Sequence, residues 1–177
     1  MVIQQGVTLE FTKEASLIAD GNVRIYSDLS RLPVTFKSHE RVSQANSWSG
    51  IFLNNQSSVY YWRNVIVESA KIGIQVSSKV NLTLLDSAFK NNETGLHFDG
   101  GAKGKAERNY FFANTKYSIR IGESGFINDN TLGTSPTIRS NEINGNNLPN
   151  NTGIHVCLLY TSPSPRDLST SRMPSSA

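Results

Sequence analysis

One tetrapeptide recurs along the chain at a nearly constant interval, and that interval limits what the chain can fold into. Gly50-Ile-Phe-Leu, Gly73-Ile-Gln-Val, Gly95-Leu-His-Phe, Ser118-Ile-Arg-Ile and Gly153-Ile-His-Val are versions of one motif, the first four spaced by 23, 22 and 23 residues. A second marker runs in register with it: Asn64, Asp86 and Asn109 each precede their Gly or Ser by nine residues. Self-similarity at such a period is the mark of a solenoid, in which one supersecondary unit is repeated and stacked. The last interval, from Ser118 to Gly153, is 35 residues. It predicts a loop inserted between Gly122 and Thr137.

The unit is made of strands. Ile51/Leu53, Val65/Val67, Ile74/Val76, Leu82/Leu84, Leu96/Phe98 and Ile119/Ile121 are apolar pairs two residues apart, the period of a strand with one face buried. The strands are short and broken by Asn, Ser and Gly, which leaves no room for an amphipathic helix. About 22 residues holding two or three short strands fit one turn of a single-stranded parallel β-helix, with each coil hydrogen-bonded to the next about 4.8 Å away. The expected fold class is therefore all-β. A single coil cannot bury its apolar face, but a stack can.

Stacking turns equivalent positions into ladders. Aligning the coils on the motif puts Val67, Phe89 and Phe112 at one inward position and Ser69, Asn91 and Asn114 at a corner, where amides can bond to the turn backbone and to each other. Phe89, Asn91, Phe112 and Asn114 are thus read as structural ladder residues. Lys71, Glu93 and Lys116 fall on another line, and Glu68 lies over Lys90, as cross-strand pairs of opposite charge.

Gly73-Ile-Gln-Val, the Asp86-Ser-Ala-Phe-Lys-Asn-Asn turn and the Asn109-Tyr-Phe-Phe-Ala-Asn turn resemble the right-handed β-helix repeat family, whose fold is shared with pectate lyases. Gly6-Val-Thr-Leu-Glu-Phe and Trp48-Ser-Gly-Ile are similar to the opening coils of bacterial surface proteins of that kind. The resemblance covers nearly all of residues 1–156. It implies a right-handed coil and a secreted or cell-surface protein that often faces polysaccharide; fold-level analogy licenses no more.

From Cys157 the composition changes, and neither strand alternation nor a helical stripe continues. Back-translation of Cys157–Asp167 and Ser171–Ala177 resembles the two parts of a transposase sequencing adapter read as codons, with Leu168–Thr170 spanning the sample index. Residues 157–177 are therefore expected to be a non-native disordered tail, and residues 1–156 a β-helix fragment with further coils of the parent chain at both ends. The only cysteine, Cys157, lies in that tail, which leaves residues 1–156 with no thiolate metal site. Without the tail the chain has 15 basic and 13 acidic residues, a balance that does not call for nucleic acid. No apolar run reaches the length of a membrane-spanning helix.

Function is carried, if anywhere, by the outward surface. Residues two places after the marker alternate away from the core: Phe52, Gln75, His97, Arg120 and His155, with Asn54, Ser77, Asp99 and Gly122 two places further on. Phe52, Gln75, His97, Asp99 and Arg120 form an exposed stripe in which a ring can stack on sugar and planar polar groups can meet hydroxyls or carboxylates. Polysaccharide, bound or processed, is the expected partner. The other reading is a structural or adhesive spacer whose outer strand positions are polar simply because they are wet.

A complete catalytic set is missing. A glycosidase needs two carboxyl groups roughly 5–9.5 Å apart, yet the neighbours of Asp99 on adjacent coils are Ser77 and Gly122. A calcium-dependent lyase needs several clustered acids and a base. Gly100-Gly-Ala-Lys-Gly-Lys has the flavour of a phosphate loop, but its first Gly is wrongly spaced and Ala106 stands where Ser or Thr would hold magnesium, so it reads as a flexible loop between coils. His39 has no second ligand at metal spacing. No cofactor and no metal site is expected.

Overall fold

The computed structural model describes residues 1–40, 44–55, 58–77, 79–122, 135–145 and 149–157. These contain strands and no helix, and every paired strand is parallel to its neighbours. Successive strands do not pair with each other. Each pairs with its equivalent one coil away, which is the topology of a parallel β-helix.

Three faces run along the stack. The first is a six-stranded sheet of Thr8–Phe11, Val34–Ser38, Val65–Glu68, Ala88–Lys90, Tyr110–Phe112 and Glu142–Asn144. The second, also six-stranded, contains Ser16–Ala19, Trp48–Leu53, Ala70–Val76, Thr94–Phe98, Tyr117–Ile121 and Thr152–Val156. The third is divided. Val2–Gln4 pairs with Arg24–Tyr26, and a separate four-stranded sheet joins Val59–Arg63, Asn81–Leu85, Lys103–Glu107 and Ser135–Arg139. Lys103–Glu107 corrects the expectation of a flexible loop at Gly100–Lys105. Gly104 adopts φ +132 there, with its α-carbon packed against the Leu82 backbone, so a glycine that looked like a loop signal serves a close approach of two coils.

The inward residues make one core. Ile51, Leu53, Ile74, Val76, Leu96, Phe98 and Ile119 are fully buried, as the alternation requires. Aromatic rings stack along the axis: Phe89 on Phe111 at 5.0 Å and 10°, Phe11 on Trp48 at 4.3 Å and 7°, and Phe36 on Trp62 at 6.3 Å and 12°. The indole N–H groups are not orphaned, since Trp48 donates to the Glu68 carbonyl at 2.8 Å and Trp62 to that of Val23 at 3.0 Å.

Two of the expected ladders are out by one residue. Val67, Phe89 and Phe111 share the inward position, whereas Phe112 pairs with Lys90 and is only half-buried. At the following corner the stack is Asn92 over Asn114, not Asn91 over Asn114. Asn91 is exposed and takes the left-handed corner conformation (φ 54), as Ser69 (φ 63) and Ala113 (φ 52) do in their coils. The second marker slips in the same way, because Asn64 and Asp86 are followed by Arg108 (φ 53) at the left-handed position and Asn109 sits one place inside it. The cause is a single residue. On the first face Phe89 pairs with Phe111 and at the next corner Asn92 meets Asn114, whereas on the second Thr94 pairs with Tyr117, so the 23-residue interval is a 22-residue coil with one residue added between Asn114 and Tyr117. Aligning backwards from Ser118 carried that residue into strands that lack it. In the interval from Gly50 the extra residue is Gly73, a bulge between Ile72 and Ile74, which pair with the consecutive Gly50 and Ile51.

The two corners are held by side-chain amides and, at one of them, by the Ser87 hydroxyl. At one, the Ala70 N–H donates to Asn92 Oδ1 (2.9 Å), and the Asn92 N–H and Nδ2 both donate to Asn114 Oδ1 (3.1 Å each). At the other, Val65 N–H donates to Ser87 Oγ, Ser87 N–H to Asn109 Oδ1 and Asn109 N–H to Asn141 Oδ1, at 3.1, 3.0 and 2.9 Å. A turn bends the backbone away from ladder pairing. These side chains satisfy the N–H groups this leaves buried.

The long interval divides between two places. Phe111 pairs with Ile143 and Ile119 with Ile154, so most of the added residues precede Ser135 and three more lie between Asn144 and Thr152. The loop expected between Gly122 and Thr137 falls on residues 123–134, outside the described residues, except that Ser135 already pairs with Lys103. Of the expected tail only Cys157 is described; its backbone N–H donates to the Ile121 carbonyl at 2.9 Å. Among the described residues no helix is long and apolar enough to cross a membrane.

Candidate functional site

The second face brings the expected stripe together. Phe52 pairs with Gln75, Gln75 with His97, His97 with Arg120 and Arg120 with His155, and Ile18 precedes Phe52 on the same line. All five point away from the core because each lies between two inward residues, as Arg120 does between Ile119 and Ile121. Asp99 follows His97 by two residues, past the end of its strand; its N–H donates to the Val76 carbonyl at 2.9 Å, and its Oδ1 accepts from the Gly100 N–H at 2.9 Å.

The stripe is not uniformly exposed, which corrects the expectation from alternation. His97 is 5% accessible, while Phe52, Gln75, Asp99, Arg120 and His155 are half-buried. Part of the cover comes from Gly122, whose N–H donates to the Phe98 carbonyl at 2.7 Å. A β-carbon there would lie 2.6 Å from Asp99 Oδ1 and 3.0 Å from His97 Nε2, so the glycine lets backbone, carboxylate and imidazole meet.

Burial here comes without hydrogen bonding. Nδ1 and Nε2 of His97, Nε of Arg120 and Nδ1 of His155 are buried and make no hydrogen bond among the described residues. An unsatisfied buried polar group costs on the order of 1–3 kcal/mol, so four such atoms on one line are a feature the fold does not need. Burial pushes the His97 pKa down and so favours neutral imidazole; Asp99 opposes that shift and Arg120 adds to it.

Tyr117, which the sequence reading passed over, completes the site. Its ring lies 4.8 Å from that of His155, with the Arg120 guanidinium 5.9 Å and the Lys116 ammonium 5.5 Å from its centroid. It was legible only as the residue before Ser118, with nothing in the spacing to mark it. Lys116 also reaches Glu93 at 3.9 Å, and Lys90 reaches Glu68 at 3.7 Å, so the expected charge lines form at these pairs.

The other concentration of charge lies where the first and third faces meet. Arg108 bridges Asp86 (2.7 Å) and Glu107 (2.6 Å), Arg63 bonds Asp86 at 2.8 Å, and Lys105 and Arg139 pair with Glu107. The Arg108 hydrogen bond is the main reason the Asp86 carboxyl titrates below its ordinary range, and the Lys105 hydrogen bond does the same for Glu107. Carboxyls held ionised by cations are poor proton donors, so this cluster lacks a general acid. Among the described residues no three His, Cys, Asp or Glu side chains are grouped to hold a metal ion. His39 is exposed and pairs with Glu10 at 2.9 Å.

Stacked parallel coils with three faces define a β-helix solenoid. The chain belongs to the family of the right-handed β-helix region, whose profile matches residues 35–162. No curated protein and no solved structure matches the chain.

Proposed function

We propose that the protein is a carbohydrate-binding module of a secreted or cell-surface protein, and that the second-face stripe is its binding surface. The observation that carries the reading is the set of buried nitrogens on His97, Arg120 and His155 that have no partner among the described residues. Sugar hydroxyls both donate and accept. They can therefore satisfy the Arg120 N–H and either nitrogen of neutral His97, while the half-buried Phe52 offers a ring to stack on sugar. Binding of polysaccharide, rather than its cleavage, suits a surface on which, among the described residues, Asp99 stands beside His97 and the other carboxylate near Tyr117, Glu93, is paired with Lys116. Its placement outside the cell rests on the resemblance to surface proteins of this fold.

The test is a glycan array probed with the full chain and with a variant carrying His97→Leu, Asp99→Ala and Arg120→Gln. The expected result is binding by the wild type that the variant loses while its circular dichroism stays that of a β-protein. Equal binding by both would overturn the assignment and leave a structural or adhesive spacer as the reading.

A further inference from the structure

The division of the third face has made a second feature. No backbone ladder joins Arg24–Tyr26 to Val59–Arg63; side chains cross that boundary instead, with the Tyr60 hydroxyl donating to the Gly21 carbonyl at 3.0 Å and the Trp62 indole to that of Val23 at 3.0 Å. A groove of about 970 Å3 lies along the seam. That is the size of a ligand site, and the side chains that line it are of two kinds.

Val59 and Tyr61 are 69% and 58% exposed on the groove wall, an apolar and aromatic surface that the core does not use. Around it stand Arg24, Arg31 and Arg63, against one carboxylate in the lining, Asp28. Arg63 gives its Nε to Asp86. Arg24 and Arg31 are exposed, and their guanidinium groups form no ion pair among the described residues. Asp28 does not neutralise Arg31 by a side-chain bond; its Oδ1 accepts from the Ser30 N–H at 3.4 Å.

The wall that carries Arg31 is fixed. Asn64, in the left-handed conformation at the end of Val59–Arg63, uses one amide nitrogen to bond Ser27 Oγ, the Asp28 carbonyl and the Arg31 carbonyl at 3.0, 2.8 and 3.1 Å. A side chain of the next coil thus holds the Ser27–Arg31 turn against the groove, which lowers the cost of ordering it around a ligand.

We infer that this groove binds an anionic ligand whose acid group is carried on a ring. Arg24 and Arg31 take the acid group through their planar N–H forks, and the Tyr61 ring takes the ring's face. The site is separate from the second-face stripe, and either can fail without the other. The shared chemistry has two obvious sources, a sulfated sugar and a nucleoside monophosphate.

The experiment is isothermal titration of the full chain with a sulfated disaccharide, its unsulfated counterpart, a nucleoside monophosphate and inorganic sulfate. The expected result is that at least one ring-borne anion binds tenfold or more tightly than inorganic sulfate and the unsulfated sugar, and that which one binds identifies the source. Arg24→Gln with Arg31→Gln, both exposed, should weaken that binding at least tenfold, and Tyr61→Ala should weaken it severalfold. Binding of neither ring-borne anion, equal binding of inorganic sulfate, or affinity unchanged in the arginine variant would overturn the proposal.

Discussion

Replacing Asn92 by alanine should cost far more than changing its neighbour Asn91, although the two look alike in sequence. The Asn92 side chain is fully buried and makes three bonds: Oδ1 accepts from the Ala70 N–H at 2.9 Å, and Nδ2 donates to the Val67 carbonyl at 3.0 Å and to Asn114 Oδ1 at 3.1 Å. Alanine leaves the Ala70 N–H and the Val67 C=O unsatisfied in the core. At about 1–3 kcal/mol for each of the two groups, the loss is about 2–6 kcal/mol. Asn91 is exposed at φ 54, so Asn91→Gly keeps the backbone conformation and should move stability by about 0.5 kcal/mol or less. The assay is urea denaturation of the three proteins, with hydrogen exchange across residues 65–70 as a local readout. Comparable midpoints for the two variants, or a larger loss at Asn91, would refute the corner geometry and restore the register read from sequence.

Gly95→Ala should destabilise by about 2–3 kcal/mol in the same denaturation assay, since its β-carbon would lie 2.6 Å from the Ser118 carbonyl oxygen and 2.9 Å from Phe111 Cδ1; a neutral result would remove the close approach. Stability should fall as pH drops below about 4, because the lowered carboxyl pKa values of Asp86 and Glu107 stabilise the fold above the unfolded-state value and that contribution is lost as pH falls through the folded one. Asp86→Asn should therefore lower the thermal midpoint at pH 7 and shrink the drop between pH 7 and pH 3; an undiminished drop would exclude Asp86 as a source. His97→Leu should raise stability by about 1 kcal/mol at pH 7 by removing two unsatisfied nitrogens. The gain should grow as pH falls below about 6.5, because the depressed pKa of buried His97 makes the wild type lose stability there; a destabilised variant would mean that the imidazole is a structural part.

The recurrent tetrapeptide and the two-residue alternation were enough to read the coil, its period, the inward residues Ile74, Leu96 and Ile119, and the outward line through Phe52, Gln75, His97 and Arg120. Those follow from the chain alone because strand direction alternates strictly, so that a residue's side of the sheet is set by its distance from its neighbours. Where one residue is added to a coil, the sequence shows a longer interval but not the place of the addition. Only the hydrogen-bonded register put it between Asn114 and Tyr117, exchanging Phe112 for Phe111 and Asn91 for Asn92.

Burial on the outer side was likewise settled in three dimensions. Alternation says that His97 faces away from the core, yet its 5% accessibility depends in part on Gly122 and Asp99 closing over it from the next coil and the end of its own strand. The groove at Tyr61 has no motif at all, because it joins Arg24 and Arg31 to residues more than a coil later, across a seam where backbone pairing stops. Periodicity in a sequence fixes which residues are equivalent; which non-equivalent residues meet depends on where the stack is imperfect, and an interruption in pairing leaves its mark only in the assembled coils.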